Sequence, residues 1–377
     1  MKKKIKVGVD VRDLKISKSG ARTYLEELCK EFRKEDPDFE FIFINTILPV
    51  YTGKYKIYKL IEQFRFLLWK QCQLPIIAII KKCDIVFCSD YFVPYLHPGF
   101  VNIPVFHDAF FWEYPSHYNK YWSYLFHFLG VGAAKKSPFI ITPTKYTQQQ
   151  IAHFSGIDKE KIIPIYEAAK RLNVPTLISQ SAFENLEKSL SYQYILHVGT
   201  FEKRKNLLLL LEAFDSLTKQ GHSNLKLILI GQSSPKKNID DSTQLFQMIK
   251  ANNLEEKVII PGYVSDEILH FYYKNAALYV FPSRNEGFGI PVLEAFSYGI
   301  PVIIANNSCL PEITGDAAIS FHPDDKEDLC LKMKELLTNT SLRKQLSEKG
   351  YERVKYFSWE KAAIELKNLF TLSIRKK

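Results

Sequence analysis

The feature of this 377-residue sequence that most constrains its fold is a regular alternation of two kinds of segment. Short runs of apolar and β-branched residues alternate with longer stretches in which apolar residues recur at helical spacing. This alternation is typical of βαβ units, in which crossover helices join parallel strands. We therefore predict an α/β chain with doubly wound parallel sheets.

The predicted strands form two series, separated by a polar stretch in which the periodicity lapses. The strands of the first series begin at Ile5, Phe39, Asp84, Ile103, Pro138 and Lys161. Those of the second series begin at Tyr192, Leu225, Lys257, Ala276, Pro301 and Ala317. Helical patterns fill the intervals, among them residues 23–32, 144–154, 206–218 and 291–298. A chain of this length is expected to hold two domains.

The two series predict two Rossmann-like domains. We assign an N-terminal domain to residues 1–170, a linker to 171–190 and a C-terminal domain to 191–355. The final segment, 356–377, is predicted to be a helix that packs back on the first domain. Ligands of doubly wound folds bind at the carboxyl ends of the strands, so we expect the functional site in a cleft that both domains face.

The charge of the chain is unevenly distributed. Of the formal net charge of +10, residues 1–186 contribute +8, from 26 Lys and Arg against 18 Asp and Glu. The sequence is also rich in aromatic residues, with 21 Tyr and 27 Phe. A basic, aromatic-rich first half indicates an anionic partner, which can be a nucleic acid, a membrane surface or an acidic small molecule.

The cysteines and the apolar runs bear on location. The six cysteines are scattered without a C-x-x-C pair, which argues against a structural zinc site or a redox motif and favours free thiols in a reducing cytosol. The N-terminus lacks the apolar core of a signal peptide, because Asp10 and Arg12 interrupt it. No apolar run approaches the roughly 20 residues of a membrane span. We predict a cytoplasmic chain that is neither secreted nor membrane-spanning.

The most informative stretch is PSRNEGFGIPVLEAFSYGIPVI, from Pro282 to Ile303. A strand ends at its start, a loop with two glycines follows, and a helix begins near Pro291, because proline suits a first helical turn. The backbone N–H groups of this loop are expected at the positive end of a helix dipole, which is a site for oxygen-rich anionic ligands.

Two carboxylates, Glu286 and Glu294, lie eight residues apart at this loop and helix. A carboxylate accepts two hydroxyl donors at once, as in the binding of the vicinal diols of a ribose or a hexose. A random pair of glutamates is more often solvated surface. The flanking glycines, the proline and the apolar helix favour a shared pocket instead.

These residues resemble the signature of glycosyltransferase family 4. The segments EGFGIPVLEA, from Glu286, and HVGTFEKRKNLLLLLEAF, from His197, carry the resemblance, which runs over nearly the whole chain. The family comprises retaining, nucleotide-sugar-dependent enzymes of the GT-B fold. The resemblance implies that Glu294 binds the ribose of the donor and that Glu286 binds the transferred sugar. It implies that backbone amides hold sugar and phosphate oxygens, namely those of Gly287, Phe288, Gly289 and Ile290.

Two cations stand between a predicted strand and a predicted helix in the other segment. Arg204 and Lys205 can neutralise a diphosphate leaving group as the glycosidic bond breaks. Basic residues oppose the helix dipole at an N-terminus, so an anionic ligand would explain their presence there. By the resemblance, Gly199 belongs to the same donor site, with Thr200 where many family members carry an arginine.

Three further positions resemble elements of the family. PGYVSDEIL, from Pro261, is similar to the segment that meets the nucleotide base through backbone atoms near Tyr263 and Val264. Gly20 stands in the opening loop, where glycine lets the backbone approach the donor diphosphate; Arg22 replaces a second glycine, and it either contacts phosphate or displaces the loop. His107 belongs to an H-D element and can bind the transferred sugar or act on the developing oxocarbenium ion.

Two aromatic, lysine-bearing stretches allow two interpretations. Residues 55–71 and 117–130 are predicted to be helical. Their faces suit an anionic bilayer, with aromatics in the interface and lysines at the headgroups. They equally suit a core stripe with solvated lysines. We weigh the two interpretations evenly for the first stretch and favour core for the second.

Several other functions are disfavoured. The sequence has no G-x-G-x-x-G after the first strand, no phosphate-binding P-loop, no nucleophile elbow and no H-E-x-x-H zinc motif. It also lacks a nucleic-acid recognition motif. The acidic run DDKED, from Asp324, opens a surface helix and is not a strand-end metal site, so we expect transfer without a metal.

We hypothesise a retaining, metal-independent glycosyltransferase that moves a hexose from a nucleoside-diphosphate sugar to a lipid-linked or glycan acceptor in cell-surface polysaccharide synthesis. Mannose from GDP-mannose is the first choice of donor, with rhamnose, glucose and N-acetylglucosamine as alternatives. A catalytically silent, sugar-nucleotide-binding scaffold protein is the alternative from another class. The basic first half is interpreted as a face for acceptor and membrane, at the inner face of the cell membrane.

Overall fold

The computed structural model divides the chain into two compact units. The first comprises Met1–Glu167 with Ser358–Lys377, and the second comprises Ala168–Phe357. The residues that the structure describes are 3–16, 20–47, 49–51, 53, 55–172 and 192–376. The predicted linker, 171–190, therefore lies outside the described residues except for its first two positions.

The first unit alternates strands and helices along the chain. Its strands are β1 (Ile5–Asp10), β2 (Phe39–Ile44), β3 (Ile85–Cys88), β4 (Val101–Pro104), β5 (Ile140–Thr142) and β6 (Ile162–Pro164). Its helices are α1 (Gly20–Phe32), α2 (Lys56–Leu68), α3 (Leu74–Ile80), α4 (Phe110–Glu113), α5 (Lys120–Leu125), α6 (Gly132–Lys136) and α7 (Lys145–Ser155). Two π-helical turns continue α2 into α3 and α5 into α6, over Trp69–Gln73 and Phe126–Val131.

In the described residues, β1 to β4 form a parallel sheet in the order β2-β1-β3-β4, and β5 pairs with β6. The strand order reverses between β1 and β3, so the connections after these two strands leave in opposite directions. The crevice that such a switch point opens lies at their carboxyl ends. Here those ends are Asp10 and Cys88, which are paired in register.

The second unit repeats the pattern. Its strands are β7 (Tyr194–Val198), β8 (Lys226–Ile230), β9 (Val258–Gly262), β10 (Leu278–Phe281), β11 (Val302–Ala305) and β12 (Ala318–Phe321). Its helices are α8 (Leu207–Lys219), α9 (Ser242–Ala251), α10 (Asp266–Asn275), α11 (Ile290–Ser297), α12 (Leu310–Thr314), α13 (Lys326–Thr338) and α14 (Thr340–Val354). The described strands form one parallel sheet in the order β12-β11-β10-β7-β8-β9, with its switch point between β7 and β10.

The C-terminal helix α15, Trp359–Arg375, belongs to the first unit. Ser358 caps it by accepting a hydrogen bond from the Lys361 amide. Trp359 and Phe370 are buried, and the Trp359 ring lies 5.9 Å from that of Tyr24. Across the part of the chain that the structure describes, no helix is both long enough and apolar enough to cross a membrane.

One predicted strand ends earlier than expected. The run from Ile103 was predicted to continue to Asp108, but β4 ends at Pro104. The chain then changes partner, because Val105 bridges to Ile141 of β5 and the Phe106 amide donates to the Ile141 carbonyl at 2.8 Å.

A buried ion cluster occupies the switch point of the first unit. The π-helical turn after α2 carries Lys70, which is 1% exposed. Its Nζ lies 2.7 Å from Asp10 Oδ2, at the end of β1, and 2.8 Å from Asp90 Oδ1, just beyond β3. Trp69 Nε1 donates to Asp10 at 3.1 Å. Burial favours the neutral amine, but the two carboxylates raise the pKa of Lys70 well above its ordinary value.

Replacing Lys70 tests what this cluster contributes to stability. Lys70→Met leaves the buried Asp10 and the half-buried Asp90 without their cation, and we expect it to lower the free energy of unfolding by about 3–5 kcal/mol in urea denaturation. Lys59→Met, at an exposed position of α2, is the matched control and should change it by less than about 0.5 kcal/mol. Equal effects of the two substitutions would contradict this interpretation of the cluster.

Candidate active site

The switch point of the second unit brings together the two loops that the sequence singled out. One loop follows β7 and leads to α8; the other follows β10 and leads to α11. Because β7 and β10 are neighbours, both loops start at the same edge of the sheet. The connections then leave in opposite directions, which opens the crevice where doubly wound folds bind ligands.

The loop after β7 begins at Gly199, close to a buried histidine. A Cβ on Gly199 would lie 3.1 Å from His197 Nε2, so a side chain there would push against the ring. The other nitrogen, His197 Nδ1, lies 3.0 Å from the Val280 carbonyl. Burial lowers the pKa of His197 to about 4, and the ring is neutral at pH 7.

Lys203–Lys205 then form a 3-10 turn, which places two cations against one carboxylate of the β10 loop. Lys205 Nζ lies 2.6 Å and Arg204 Nη1 2.9 Å from Glu286 Oε1. Burial alone would raise the pKa of Glu286, but the two cations lower it to about 2. The Phe281 ring lies 4.8 Å from Lys205 Nζ.

The charge of these cations is compensated within the chain. Besides Glu286, Glu202 accepts from Arg204 Nε at 2.8 Å. The sequence assigned this compensation to a ligand, whereas the structure supplies it from two carboxylates. An anionic ligand would compete with them for Arg204. In the described ranges, no group of three or more His, Cys, Asp and Glu side chains is arranged to hold a metal ion.

The loop after β10 is shaped by glycine and by a buried thiol. Gly289 has a φ of 104°, in the left-handed region, and directly precedes α11. Cys309 Sγ lies 3.2 Å from the carbonyl oxygens of both Glu286 and Phe288. These contacts turn the loop carbonyls toward the thiol. Sequence reasoning missed Cys309, which stood out only as one of six scattered cysteines.

Glu294 lies on α11 and is 6% exposed. Tyr273, which the sequence did not single out, donates its hydroxyl to Glu294 Oε2 at 2.7 Å. Burial raises the pKa of Glu294 to about 7, although this hydrogen bond and the charge of Lys170 oppose the rise. The two predicted carboxylates therefore differ in charge, because Glu286 is fully ionised at pH 7 and Glu294 is partly protonated.

The remaining predicted donor residues of this unit lie beside β9. Tyr263 and Val264 follow the strand directly, and the Tyr263 side chain is 74% exposed. Ser265 then caps α10 by accepting from the Ile268 amide. Lys170 Nζ binds Asp266 in the first turn of that helix, at 2.6 Å.

Two predicted site residues, Gly20 and His107, belong to the first unit. Gly20 begins α1, and the three residues before it lie outside the described ranges. Arg22, which was predicted to contact phosphate or displace the loop, binds Glu26 at 2.7 Å on the surface of α1.

His107 has a protein acceptor at each ring nitrogen. Nδ1 lies 3.2 Å from Glu167 Oε1 and Nε2 lies 3.0 Å from the Ser89 carbonyl, an arrangement that suits a protonated ring, which donates from both nitrogens. Burial opposes the charge, but Glu167 raises the pKa of His107 above its ordinary value. The Tyr24 ring packs edge-on against His107, with centroids 4.9 Å apart. Sequence reasoning missed Glu167, which lies 60 positions away.

Residues 179–353 match the family described as "Glycosyl transferases group 1". The chain carries a glycosyltransferase group 1 domain. This domain contains both loops of the site, from Gly199 to Glu294. O-antigen chain mannosyltransferase B from Escherichia coli is 30% identical to the chain over 234 residues, which cover 62% of this chain and 60% of that protein. The match thus spans about three fifths of the length of this curated relative.

Two solved structures share the architecture of this chain. Sucrose-phosphate synthase from Thermosynechococcus elongatus has a TM-score of 0.75 at 16% identity, covering 99% of this chain and 100% of that one. Anabaena HepE, solved in complex with UDP, has a TM-score of 0.72 at 16% identity, covering 97% of this chain and 99% of that one. The predicted GT-B fold class is confirmed, with Rossmann-like α/β units on parallel sheets.

The ion pairs of Glu286 predict a pH-dependent stability of the glycosyltransferase domain. Because the pKa of Glu286 is lowered to about 2, its contribution is complete above the unfolded value near 4.5 and is lost as the pH falls toward 2. We expect Glu286→Gln to lower the free energy of unfolding by about 2–4 kcal/mol at pH 6–8, and by progressively less below pH 4.5.

Urea denaturation between pH 3 and pH 8 measures this difference. Glu255→Gln, at an exposed position of the second unit, is the control and should show little effect at any pH. A deficit for Glu286→Gln that stays constant down to pH 3 would contradict the assigned ion pairs.

Proposed function

We propose that this chain transfers a hexose from a nucleoside-diphosphate sugar to a lipid-linked or glycan acceptor in cell-surface polysaccharide synthesis. The observation that carries the proposal is the buried contact of Lys205 and Arg204 with Glu286 at the switch point of the second unit. The two cations and the carboxylate, which can accept hydrogen bonds from sugar hydroxyls, lie at the edge of the sheet where ligands of such folds bind. The family match of residues 179–353 supports the same chemistry.

In the proposed reaction, the bond between the anomeric carbon and the β-phosphate oxygen breaks, and its electron pair stays with the diphosphate. Arg204 and Lys205 stabilise the negative charge that develops there. The acceptor hydroxyl attacks from the same face, which retains the anomeric configuration, and its proton passes to the leaving diphosphate. Cations preorganised by Glu202 and Glu286 need little rearrangement to act in this way.

Glu286 is proposed to bind the hydroxyls of the transferred sugar, and Glu294 those of the ribose. The backbone amides of residues 287–290 would hold sugar and phosphate oxygens. Tyr263 and Val264 would meet the base, and Gly199 lets the donor approach the end of β7. The hydrogen bond from Tyr273 leaves Glu294 able to accept from further hydroxyl groups, since a carboxylate offers four lone-pair sites.

The first unit is proposed to contribute Gly20 and His107. At Gly20 the backbone would approach the donor diphosphate. His107 would donate to the transferred sugar, and this requires one N–H group to leave its present acceptor. The neutral Ser89 carbonyl holds Nε2 less strongly than the Glu167 carboxylate holds Nδ1, so Nε2 is the nitrogen that we expect to be released.

GDP-mannose is the donor that we propose, because the relative at 30% identity is named a mannosyltransferase. Rhamnose, glucose and N-acetylglucosamine donors remain the alternatives, and UDP in the HepE structure is an observation in favour of a uridine nucleotide. We also propose transfer without a metal, with Arg204 and Lys205 in place of the cation. The proposed location is the cytoplasm, at the inner face of the cell membrane.

A silent sugar-nucleotide-binding scaffold is the second candidate function. The intact pair Glu286 and Glu294 speaks against it, because a scaffold that does not transfer the sugar has no chemical need for a carboxylate beside that sugar. An assay of sugar transfer distinguishes the two candidate functions.

A panel of GDP, UDP, dTDP and ADP tests the donor site by thermal shift. A nucleotide at 100 times its Kd stabilises the folded state by about 2.7 kcal/mol, so the matching one should raise Tm by roughly 5–10 °C. Glu294→Gln should abolish most of this shift. Glu286→Gln should keep it and reduce transfer at least 100-fold, as measured by release of the nucleoside diphosphate.

Glu255→Gln is the matched control in both assays and should behave like the unmodified chain. No shift with any of the four nucleotides would contradict the proposal. A shift without any transfer would favour the scaffold.

A further inference from the structure

Helix α2 turns its apolar side away from the unit to which it belongs. Five large apolar side chains lie on one stripe of the helix and face outward: Ile57, Leu60, Ile61, Phe64 and Leu68, with exposed fractions of 71, 67, 45, 62 and 38%. A surface helix normally points such a stripe at the core.

The opposite side of α2 makes the contacts with the first unit. The Phe66 ring lies 5.4 Å from that of Phe92 and 5.8 Å from that of Trp122. Glu62, on the same side, binds the buried guanidinium of Arg12. At 100° per residue, the apolar stripe is centred opposite Phe66. The fold therefore turns the half-buried carboxylate of Glu62 toward the unit and leaves the aliphatic side chains of α2 in water.

Two other helical segments of the first unit also expose apolar side chains. Three further isoleucines of α3 are about half exposed or more: Ile76, Ile79 and Ile80. The segment that begins with α5, joined to α2 through the Trp122 ring, exposes three aromatic side chains: Tyr121, Tyr124 and Phe128, at 82, 68 and 54%. We call these six residues, together with the five of the α2 stripe, the apolar face. Soluble monomers rarely expose clusters of this kind unless a partner covers them.

The charges around the apolar face are of one sign. Residues 55–82 contain six Lys and Arg against one acid, Glu62, which is paired with Arg12. Residues 117–136 contain three lysines and no Asp or Glu. The lysines at exposed positions are Lys59, Lys81, Lys82, Lys120, Lys135 and Lys136. A second copy of this face would repel the first, so the charge pattern favours a negatively charged partner.

We propose that the apolar face docks the first unit on an anionic lipid bilayer. Aliphatic and aromatic side chains would enter the boundary between headgroups and acyl chains, the tyrosine hydroxyls would stay at the headgroups, and the lysines would bind anionic lipid. For residues 55–71, the proposal chooses the bilayer interpretation over the core interpretation. For residues 117–130 it divides the stretch, because Phe126 is core while Tyr121, Tyr124 and Phe128 lie on the face. The proposal does not rest on the proposed sugar transfer.

Sedimentation of the full chain with vesicles tests the docking. We expect binding to vesicles with 30% phosphatidylglycerol in phosphatidylcholine, at least tenfold weaker binding to pure phosphatidylcholine, and loss of most binding in 0.5 M NaCl. The double variant Leu60→Gln/Phe64→Gln should weaken binding to the anionic vesicles at least tenfold. Lys81→Gln/Lys82→Gln should weaken it roughly tenfold as well.

The matched control is the double variant Leu331→Gln/Ile364→Gln. These residues are 63% and 51% exposed, and neither belongs to the apolar face. The control should bind like the unmodified chain, and all variants should keep their unfolding temperature, because the replaced side chains are exposed. The nucleotide-induced thermal shift should also persist, which separates failure of docking from failure of the donor site.

Two results would overturn the proposal. One is equal binding of the unmodified chain and the apolar-face variant to anionic vesicles. The other is absence of vesicle binding together with a dimer, in analytical ultracentrifugation, that the same variant dissociates. That dimer would assign the face to a second copy of the chain.

Discussion

The candidate site depends on the ion pairs that the Glu286 carboxylate makes with Lys205 and Arg204. The carboxylate accepts from Lys205 and Arg204 across the switch point of the second sheet, and it thereby ties the loop after β7 to the loop after β10. Taking three charges out of water is costly, and the mutual attraction of the groups must repay that cost. The lowered pKa of Glu286 indicates that it does so for the carboxylate. Ligand-binding groups held in this way are preorganised.

The two units share one feature at the switch points of their sheets. In each, the strand order reverses at one point, and a buried lysine is paired with carboxylate at this point. Lys70 joins Asp10 and Asp90 in the first unit, and Lys205 binds Glu286 in the second. A reversal in a parallel sheet leaves a crevice whose floor is made of strand ends. Charged side chains on this floor are shielded from water, and each therefore needs a partner of opposite sign.

Much of the architecture could be predicted from local patterns. Strands such as β1, β7 and β10 are short apolar runs whose starts lie within two residues of the predicted ones, since burial on both faces of a parallel sheet leaves a continuous apolar signature. The β10 loop could be located because glycine and proline mark the start of a helix. The predicted end of β4 was wrong, because the chain pairs with β5 after Pro104. No local sequence signal indicates such a change of strand partner.

The supporting partners of the site could not be predicted. Cys309, Tyr273 and Glu167 reach Glu286, Glu294 and His107 from 21 to 60 positions away, and each is an ordinary residue in its own segment. Their roles arise from packing between elements. For the same reason the outward direction of the apolar stripe on α2 was undetermined, because an amphipathic pattern defines two sides of a helix and leaves open which of them meets the core.

A crystal structure of the chain with the nucleoside diphosphate that stabilises it most would test the central claim directly, that the switch point of the second unit is the donor site. The expected result is a β-phosphate oxygen within about 3.2 Å of Lys205 Nζ or of an Arg204 nitrogen, with ribose hydroxyls at the Glu294 carboxylate. A nucleotide bound elsewhere, with Arg204 and Lys205 still paired only to Glu202 and Glu286, would contradict it.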